Sequence, residues 1–324
     1  MPRQEQIAAA GAGRMGRGLA VVFALAGHRV SLIDLKIRED APDYLDKVRD
    51  EIGATLEMLV ACGMIGAGDL DRVAARIDYV AESGAASALS EADVVFEGVP
   101  EVLDAKRDAF AFIGEHARRD AIVASTTSTI LADDLQSMVA QPERFLNAHW
   151  LNPAFLVPLV EVSPGAGTDP AVTDRLKALL ERIGKVPVVM KASPGFIVPR
   201  IQALAMNEAA RIYEEGMASA EDIDKATKYG LGFRFAILGV LEFIDWGGGD
   251  ILHHASRYMA DATGEDRFEA PEIIGRNMAA GRIGLRSGAG FLEYDGMDVP
   301  AYQRERLAAF VAMLKHMGMV PKVQ

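Results

Sequence analysis

In the first half of the chain, short apolar runs alternate with longer segments whose apolar residues recur at helical spacing. Apolar runs of four to six residues, bounded by turn residues, are typical of buried strands. The strands predicted in this way span residues 6–10, 30–34, 93–97, 121–125, 145–148 and 159–162. Because helical segments separate the earlier strands, we expect an α/β domain with a parallel sheet.

The pattern changes near residue 193, beyond which no strand-like alternation follows. The helical windows in this part of the chain are residues 200–215, 220–229, 251–262, 271–280 and 301–317. A chain of this length suits two domains. We therefore predict an α/β domain over residues 1–191 and an all-helical domain over residues 192–324.

A glycine motif, Gly11-x-Gly13-x-x-Gly16, follows the first predicted strand and opens a helix. In that context the glycines let the backbone turn tightly and approach a pyrophosphate, which rests on the helix N-terminus. The sequence therefore predicts a dinucleotide site. A glycine-rich turn that binds nothing is the alternative.

The end of the second strand bears on the choice of dinucleotide. Asp34 stands where an acidic residue accepts a hydrogen bond from the adenosine ribose. A carboxylate there repels a 2′-phosphate, so NAD is favoured over NADP. Lys36 and Arg38 lie close by and argue mildly in the opposite direction.

A candidate proton-transfer pair follows further along the chain. His149 ends a strand-like run, and Glu161 lies within the apolar run 159–162. A carboxylate in apolar surroundings needs a partner, and an imidazolium is a natural one, although a solvent-facing Glu161 is the alternative. The hydroxyl-rich segment 125–129 also follows a strand, where it could equally form a turn or a helix cap. A histidine base beside a dinucleotide site indicates oxidation of an alcohol.

Composition narrows the function classes. A net charge of −12 argues against a nucleic-acid or anionic-membrane partner. Cys62 is the single cysteine, so we expect no disulfide framework, and we find no spacing that suits a metal site. The start of the chain lacks an apolar signal segment, and no apolar run reaches the roughly 18 residues of a membrane span. We expect a cytoplasmic protein.

Several motifs occur together in one order along the chain. They are Gly11–Gly18, Glu97–Glu101 with Lys106, Ser125–Thr129, His149–Pro153, Leu159–Val162, Pro194–Ile197, Met206–Ala209, Ala220–Asp224 and Gly288–Phe291. The chain thereby resembles the L-3-hydroxyacyl-CoA dehydrogenase family, nearly over its whole length to about Tyr294. The resemblance implies an α/β Rossmann-type N-terminal domain followed by an all-α C-terminal domain that forms a homodimer. It also implies NAD as the cofactor and a place in fatty acid metabolism.

The resemblance also implies roles for single residues. His149 would be the catalytic base and Glu161 its orienting partner. Ser128 would hydrogen-bond the substrate oxygen, while Asn152 would support the catalytic pocket. The residues that would bind or lie beside the cofactor are Gly11, Gly13, Met15, Gly16, Asp34, Glu101 and Lys106.

The chain departs from the family pattern at several places. Pro199 stands where the family usually has an asparagine facing the reacting centre, and Thr126 also replaces a customary asparagine. Segment 56–64, at the end of the helix after the second strand, is apolar and lacks the lysines that meet CoA in many members. The tail beyond Tyr294 is similar to that of relatives that oxidise free hydroxy acids.

Two substrate classes therefore stay open. The family majority favours a short-chain 3-hydroxyacyl-CoA such as 3-hydroxybutyryl-CoA, which is our prediction. The departures favour a free 3-hydroxy acid of the 3-hydroxybutyrate, carnitine or gulonate type.

A 6-phosphogluconate-type dehydrogenase, which uses a lysine base, is disfavoured by His149-x-x-Asn152-Pro153. A non-catalytic, crystallin-like NAD-binding protein is disfavoured because His149 and Glu161 are both present.

Overall fold

The computed structural model describes residues 4–321, and within that span eight strands form one sheet. The strands are β1 (Ile7–Ala10), β2 (Val30–Ile33), β3 (Ile77–Val80), β4 (Val94–Glu97), β5 (Ile122–Ser125), β6 (Phe145–Trp150), β7 (Leu159–Pro164) and β8 (Val186–Val189). Their order across the sheet is β3-β2-β1-β4-β5-β6-β7-β8. The order 3-2-1-4-5-6 is that of the dinucleotide-binding α/β fold, so the predicted fold class is confirmed.

The sheet is parallel except where β6 pairs with β7. Parallel neighbours need a crossover of a dozen or more residues, whereas only the short segment 151–158 joins these two strands. The chain therefore turns back on itself there. The sequence predicted a parallel sheet, and this one pair is the exception.

Helices cover both faces of the sheet, as the alternation of elements requires. They are α1 (Arg14–Leu25), α2 (Ala41–Ala61), α3 (Leu70–Ala74), α4 (Glu82–Glu91), α5 (Leu103–His116), α6 (Ala132–Gln136) and α7 (Pro170–Arg182). On one face an aromatic cluster joins α1 to the sheet: the Phe23 ring lies 5.3 Å from Phe96 and 6.0 Å from Trp150, centroid to centroid. These contacts hold the last turn of α1 against the central strands.

Helix α8 (Val198–Glu214) contains the division between two compact units, which falls between Leu204 and Ala205. The first turn of α8 belongs to the first unit because a carboxylate of β7 holds it. The backbone N–H groups of Ile197 and Val198 donate to Glu161 Oε1 at 2.9 and 2.8 Å. The predicted domain boundary at residues 191–192 lies before this turn and stays a prediction.

The second unit is helical, as the sequence indicated. Its further helices are α9 (Ala220–Ala226), α10 (Phe233–Phe235), α11 (Val240–Gly247), α12 (Gly249–Thr263), α13 (Glu272–Ala279) and α14 (Val299–His316), with a π-helical turn over Thr227–Gly232. Helix α14 is tied to α11 by an ion pair between Arg306 Nε and Glu242 Oε1 at 2.7 Å. Within residues 4–321, no helix combines the length and apolar character needed to cross a membrane.

Candidate active site

His149 and Glu161 stand directly opposite each other in the antiparallel register of β6 and β7. His149 Nδ1 lies 2.8 Å from Glu161 Oε2, and both side chains are buried. Opposite residues in an antiparallel pair bring their Cβ atoms within about 4.5–5.5 Å, close enough for this contact. The turn that reverses the chain thus creates the pair. His149 lies one residue before the end of its strand, which continues to Trp150.

The second oxygen of Glu161 is also engaged, because Oε1 accepts the N–H groups of Ile197 and Val198. Three donors therefore hold the carboxylate in one orientation. An ionised carboxylate can only accept hydrogen bonds, so the proton of a neutral His149 sits on Nδ1. That assignment leaves His149 Nε2 with a free lone pair, ready to accept a proton.

Phe196 packs against the His149–Glu161 pair, a contact that the sequence pattern did not predict. Its ring stacks on His149 with centroids 4.7 Å apart and an interplanar angle of 25°. Phe196 is buried and has φ +47°, in the left-handed region that non-glycine residues rarely adopt. Such a conformation persists where the surroundings impose it. The Pro194–Ile197 motif was visible in the sequence, but its packing on His149 was not.

Glu101 organises the hydroxyl-rich loop after β5. Its Oε1 accepts hydrogen bonds from the side chains of Thr127 and Thr129 and from the backbone of Ser128 at 3.0 Å. Burial alone raises the pKa of Glu101, but the bond from Thr127 and the charge of Lys106 outweigh it, so the pKa is lowered. The Ser128 side chain stays exposed. Within the described chain, no hydrogen bond links Ser128 to the histidine pair.

Lys106 lies beneath this loop, with a side chain only 1% exposed. Its Nζ contacts Glu97 Oε1 at 3.0 Å and Glu101 Oε2 at 3.2 Å. Glu97 ends β4, and it also accepts hydrogen bonds from Ser125 Oγ at 2.6 Å and from the backbone of Val99 at 2.8 Å. Glu97 had no role in the sequence-based predictions, although it is a carboxylate in an apolar run, as Glu161 is. The predicted cofactor contacts of Lys106 and Glu101 stay predictions.

The glycine loop is shaped by contacts that exclude a Cβ atom. A Cβ on Gly11 would lie 2.6 Å from Gly98 O, and one on Gly16 would lie 1.9 Å from Gly11 O. Gly13 is different, because no atom of the described residues lies within 4 Å of the position that a Cβ would take. Helix α1 begins there without a side-chain cap. The open space and the free N–H groups suit a bound pyrophosphate, while Met15 packs on the core.

A cavity of about 260 Å³ adjoins this loop. It is lined by Gly11, Ala12, Gly13, Asp34, Leu35, Lys36, Arg38, Tyr44, Gly98, Val99 and Pro100. Asp34 is buried at the end of β2 and forms an ion pair with Arg38 Nε at 2.5 Å. Because the cavity joins the glycine loop to a carboxylate, its residues fit the adenosine part of a dinucleotide.

A second cavity, of about 370 Å³, lies between α1, α2 and the segment after β6. Asn152 is exposed at its wall, and Arg17 pairs there with Glu51 at 2.6 Å. Arg14 also lines this cavity and forms no ion pair or hydrogen bond with the part of the chain described. The end of α2 has no cation, as the sequence indicated, but α1 supplies positive charge from the opposite wall. No hydrogen bond in residues 4–321 joins Asn152 to His149.

Two family models together match most of the chain. The model described as "3-hydroxyacyl-CoA dehydrogenase, NAD binding domain" matches residues 6–193. The model described as "3-hydroxyacyl-CoA dehydrogenase, C-terminal domain" matches residues 195–294. Helix α14 lies beyond the second match.

Individual relatives are similar over long stretches. The 5-formyl-3-hydroxy-2-methylpyridine 4-carboxylate 5-dehydrogenase of Mesorhizobium japonicum is 32% identical over 313 residues, 95% of this chain and 96% of that protein. The lambda-crystallin homolog of Bos taurus is 36% identical over 78% of this chain and 77% of its own length. The crystal structure of a 3-hydroxyacyl-CoA dehydrogenase from Archaeoglobus fulgidus has a TM-score of 0.78 at 28% identity, covering 98% of this chain and all of that one.

Proposed function

The chain belongs to the 3-hydroxyacyl-CoA dehydrogenase family, whose members are NAD-dependent oxidoreductases acting on CH–OH groups, and on that premise we propose its substrate. The proposed reaction is oxidation of the L-3-hydroxy group of a short-chain 3-hydroxyacyl-CoA, such as 3-hydroxybutyryl-CoA, to the 3-keto compound. The observation that carries the proposal is the buried His149–Glu161 pair with its free Nε2.

His149 acts as the general base. Its Nε2 takes the hydroxyl proton while Nδ1 keeps its hydrogen bond to Glu161. The carboxylate then faces an imidazolium, which it stabilises at the moment the charge develops. NAD, when bound, supplies the acceptor for the hydride that leaves the carbinol carbon. Loss of one proton and one hydride converts the alcohol to the ketone.

Two further side chains are proposed to act on the substrate. Ser128 presents an exposed hydroxyl on the loop that Glu101 holds, so it can hydrogen-bond the reacting oxygen. Asn152 lies three residues beyond His149 and lines the larger cavity, so it can shape the pocket that receives the acyl group.

NAD is proposed to lie along the glycine loop. The N–H groups at the start of α1 would receive its pyrophosphate, with Gly13 leaving the room that a close approach requires. Asp34 would receive the adenosine ribose. Met15 and Glu101 border this region from α1 and from the segment after β4.

A free 3-hydroxy acid is the second candidate substrate. Pro199 provides no side-chain donor at a place where the family usually has an amide, and the end of α2 has no cation for CoA. The Mesorhizobium relative, similar over nearly its full length, is named for a pyridine carboxylate. Arg14 lines the cavity between α1, α2 and the segment after β6, and its guanidinium can pair with a carboxylate as readily as with a phosphate.

Initial rates of NADH formation distinguish the two candidates. The donors compared are 3-hydroxybutyryl-CoA, its truncated pantetheine thioester, and free 3-hydroxybutyrate, carnitine and gulonate. We expect both thioesters to be oxidised, with kcat/KM values within about tenfold of each other, a difference of about 1.4 kcal/mol. Turnover of free acids alone would overturn the thioester proposal in favour of the second candidate. The absence of any turnover would favour a non-catalytic NAD-binding protein.

We further propose that the protein is a cytoplasmic homodimer that serves fatty acid metabolism. The helical unit exposes large apolar side chains, and a dimer interface would remove such surface from water. They include Met206, Tyr213, Met217, Ile251 and Tyr258. Sedimentation velocity gives the mass in solution, and a monomer at micromolar concentration would contradict the proposal.

A further inference from the structure

The carboxylate at the end of β2 already has a partner. Asp34 Oδ2 accepts a hydrogen bond from Arg38 Nε at 2.5 Å, and among residues 4–321 Oδ1 receives only a long contact from the backbone of Lys36 at 3.4 Å. A carboxylate selects NAD because it accepts hydrogen bonds from the ribose hydroxyls and repels a 2′-phosphate. Pairing with Arg38 weakens the second effect, since the local charge of the pair is neutral.

Arg38 is held at the cavity wall. Its Cζ lies 3.8 Å from the centre of the Tyr44 ring, and the Tyr44 hydroxyl donates to Ala12 O of the glycine loop at 3.3 Å. The hydrogen bond to Asp34 raises the pKa of Arg38, so its positive charge persists at every working pH. Only Nε is used in hydrogen bonding within the described chain. The terminal nitrogens of a side chain that is 26% exposed are left free.

The ionisable side chains lining the cavity beside the glycine loop are Asp34, Lys36, Arg38 and Tyr44. Two are cations and one is an ionised carboxylate, so the cavity carries a positive balance in a chain whose net charge is −12. An arginine with free terminal nitrogens can bind a phosphate through two parallel hydrogen bonds. Lys36 is exposed and adds a second, more mobile charge.

We infer that Arg38 is a specificity residue that lets this site bind a 2′-phosphorylated nicotinamide dinucleotide as well as NAD. In NAD the ribose hydroxyls share Asp34 with Arg38. In NADP the 2′-phosphate accepts hydrogen bonds from the free terminal nitrogens of Arg38, while Arg38 Nε continues to pair with Asp34. The preference for NAD is therefore expected to be small.

The inference rests on the proposed placement of NAD beside Asp34. Equilibrium titration of nicotinamide fluorescence measures the binding of NADH and NADPH without any substrate, so the outcome does not depend on the proposed substrate. We expect the Kd for NADPH to exceed that for NADH by less than about thirtyfold in the wild type. Arg38→Gln should raise the Kd for NADPH at least about tenfold and that for NADH less than about threefold. Arg38→Lys keeps the charge but loses the paired donors of the guanidinium, so its Kd for NADPH should lie between those of the wild type and Arg38→Gln.

Arg72→Gln is the matched control, because Arg72 pairs with Asp69 on the surface and does not line the cavity. It removes the same charge and should leave both Kd values unchanged. Binding of NADH by each variant shows that the site has folded. A wild-type preference for NADH above about thirtyfold would overturn the inference. So would an Arg38→Gln variant that weakens both dinucleotides equally, or a control that reproduces its effect.

Discussion

Two carboxylates of the same sheet, Glu161 and Asp34, differ in how their partners are held. Glu161 and His149 pair across β6 and β7, and both side chains are almost fully removed from water. Asp34 and Arg38 pair at the end of β2, where Arg38 lies at the wall of a cavity and is partly exposed. Within residues 4–321, Glu161 accepts hydrogen bonds from three donors, whereas Asp34 accepts one short hydrogen bond and one long contact.

The two arrangements suit two different functions, proton transfer and ligand binding. Glu161 accepts hydrogen bonds from two backbone N–H groups and from His149, whose ring stacks on Phe196. It cannot change partners without local unfolding. Such a pair is suited to proton transfer, which needs fixed geometry. A pair with free donors at a cavity wall can bind a ligand through those donors while its own hydrogen bond persists. That pair is suited to binding.

The largest effect on activity is expected from removing His149, the base of the His149–Glu161 pair. His149→Ala should lower kcat by about 10²–10⁴-fold, because the hydroxyl proton then has no positioned acceptor. The Kd for NADH should stay within about twofold, since His149 does not line the cavity that adjoins the glycine loop. Steady-state rates and fluorescence titration on the same preparation measure both. If the variant kept more than a tenth of wild-type activity, His149 would have no part in the chemistry.

Glu161→Gln is expected to have the next largest effect. An amide can present N–H to His149 Nδ1 while its oxygen keeps the bonds from Ile197 and Val198. The imidazole would then carry its proton on Nε2, where the lone pair is needed. We expect kcat to fall by about 10²-fold, less than for loss of the histidine.

Glu161→Asp is the matched variant for this second test, because it keeps the charge but shortens the reach. It should recover part of the activity that Gln loses. Thermal unfolding of both variants reports whether the first turn of α8 has come loose. Equal activity of the Gln variant and the wild type would mean that the carboxylate does not control the histidine tautomer.

The fold could be predicted where apolar pattern and burial agree. The six central strands were visible as apolar runs because both of their faces are covered. The edge strands β3 and β8 were missed because they are partly exposed, and Asp78 and Pro187 interrupt their apolar runs. The antiparallel pairing of β6 and β7 was missed although its signal was present, because only ten residues separate the two predicted runs, fewer than a parallel crossover needs.

The candidate site could be predicted by residue type but not by partner. Glu161 was recognisable because a carboxylate in an apolar strand must be satisfied, and its partner was inferred from chemistry. Glu97 carries the same signal, yet its partner Lys106 comes from helix α5, and no local pattern joins the two. The contact between Asp34 and Arg38 likewise depends on the path of a loop, which spacing alone does not determine.

Lys36 provides the mildest test of the Asp34–Arg38 pair. Its side chain is exposed, and the only hydrogen bond it shares with Asp34 runs through its backbone at 3.4 Å. A charge of this kind acts through water, and at physiological salt its attraction decays within about 8 Å. Lys36→Ala should therefore raise the Kd for NADPH by only about twofold, well below the effect of Arg38→Gln, and the increase should vanish near 1 M salt. Fluorescence titration at low and high salt measures this difference. A loss as large as that of Arg38→Gln, or one that persists at high salt, would mean that phosphate recognition rests on the mobile charge rather than on the guanidinium held against Asp34.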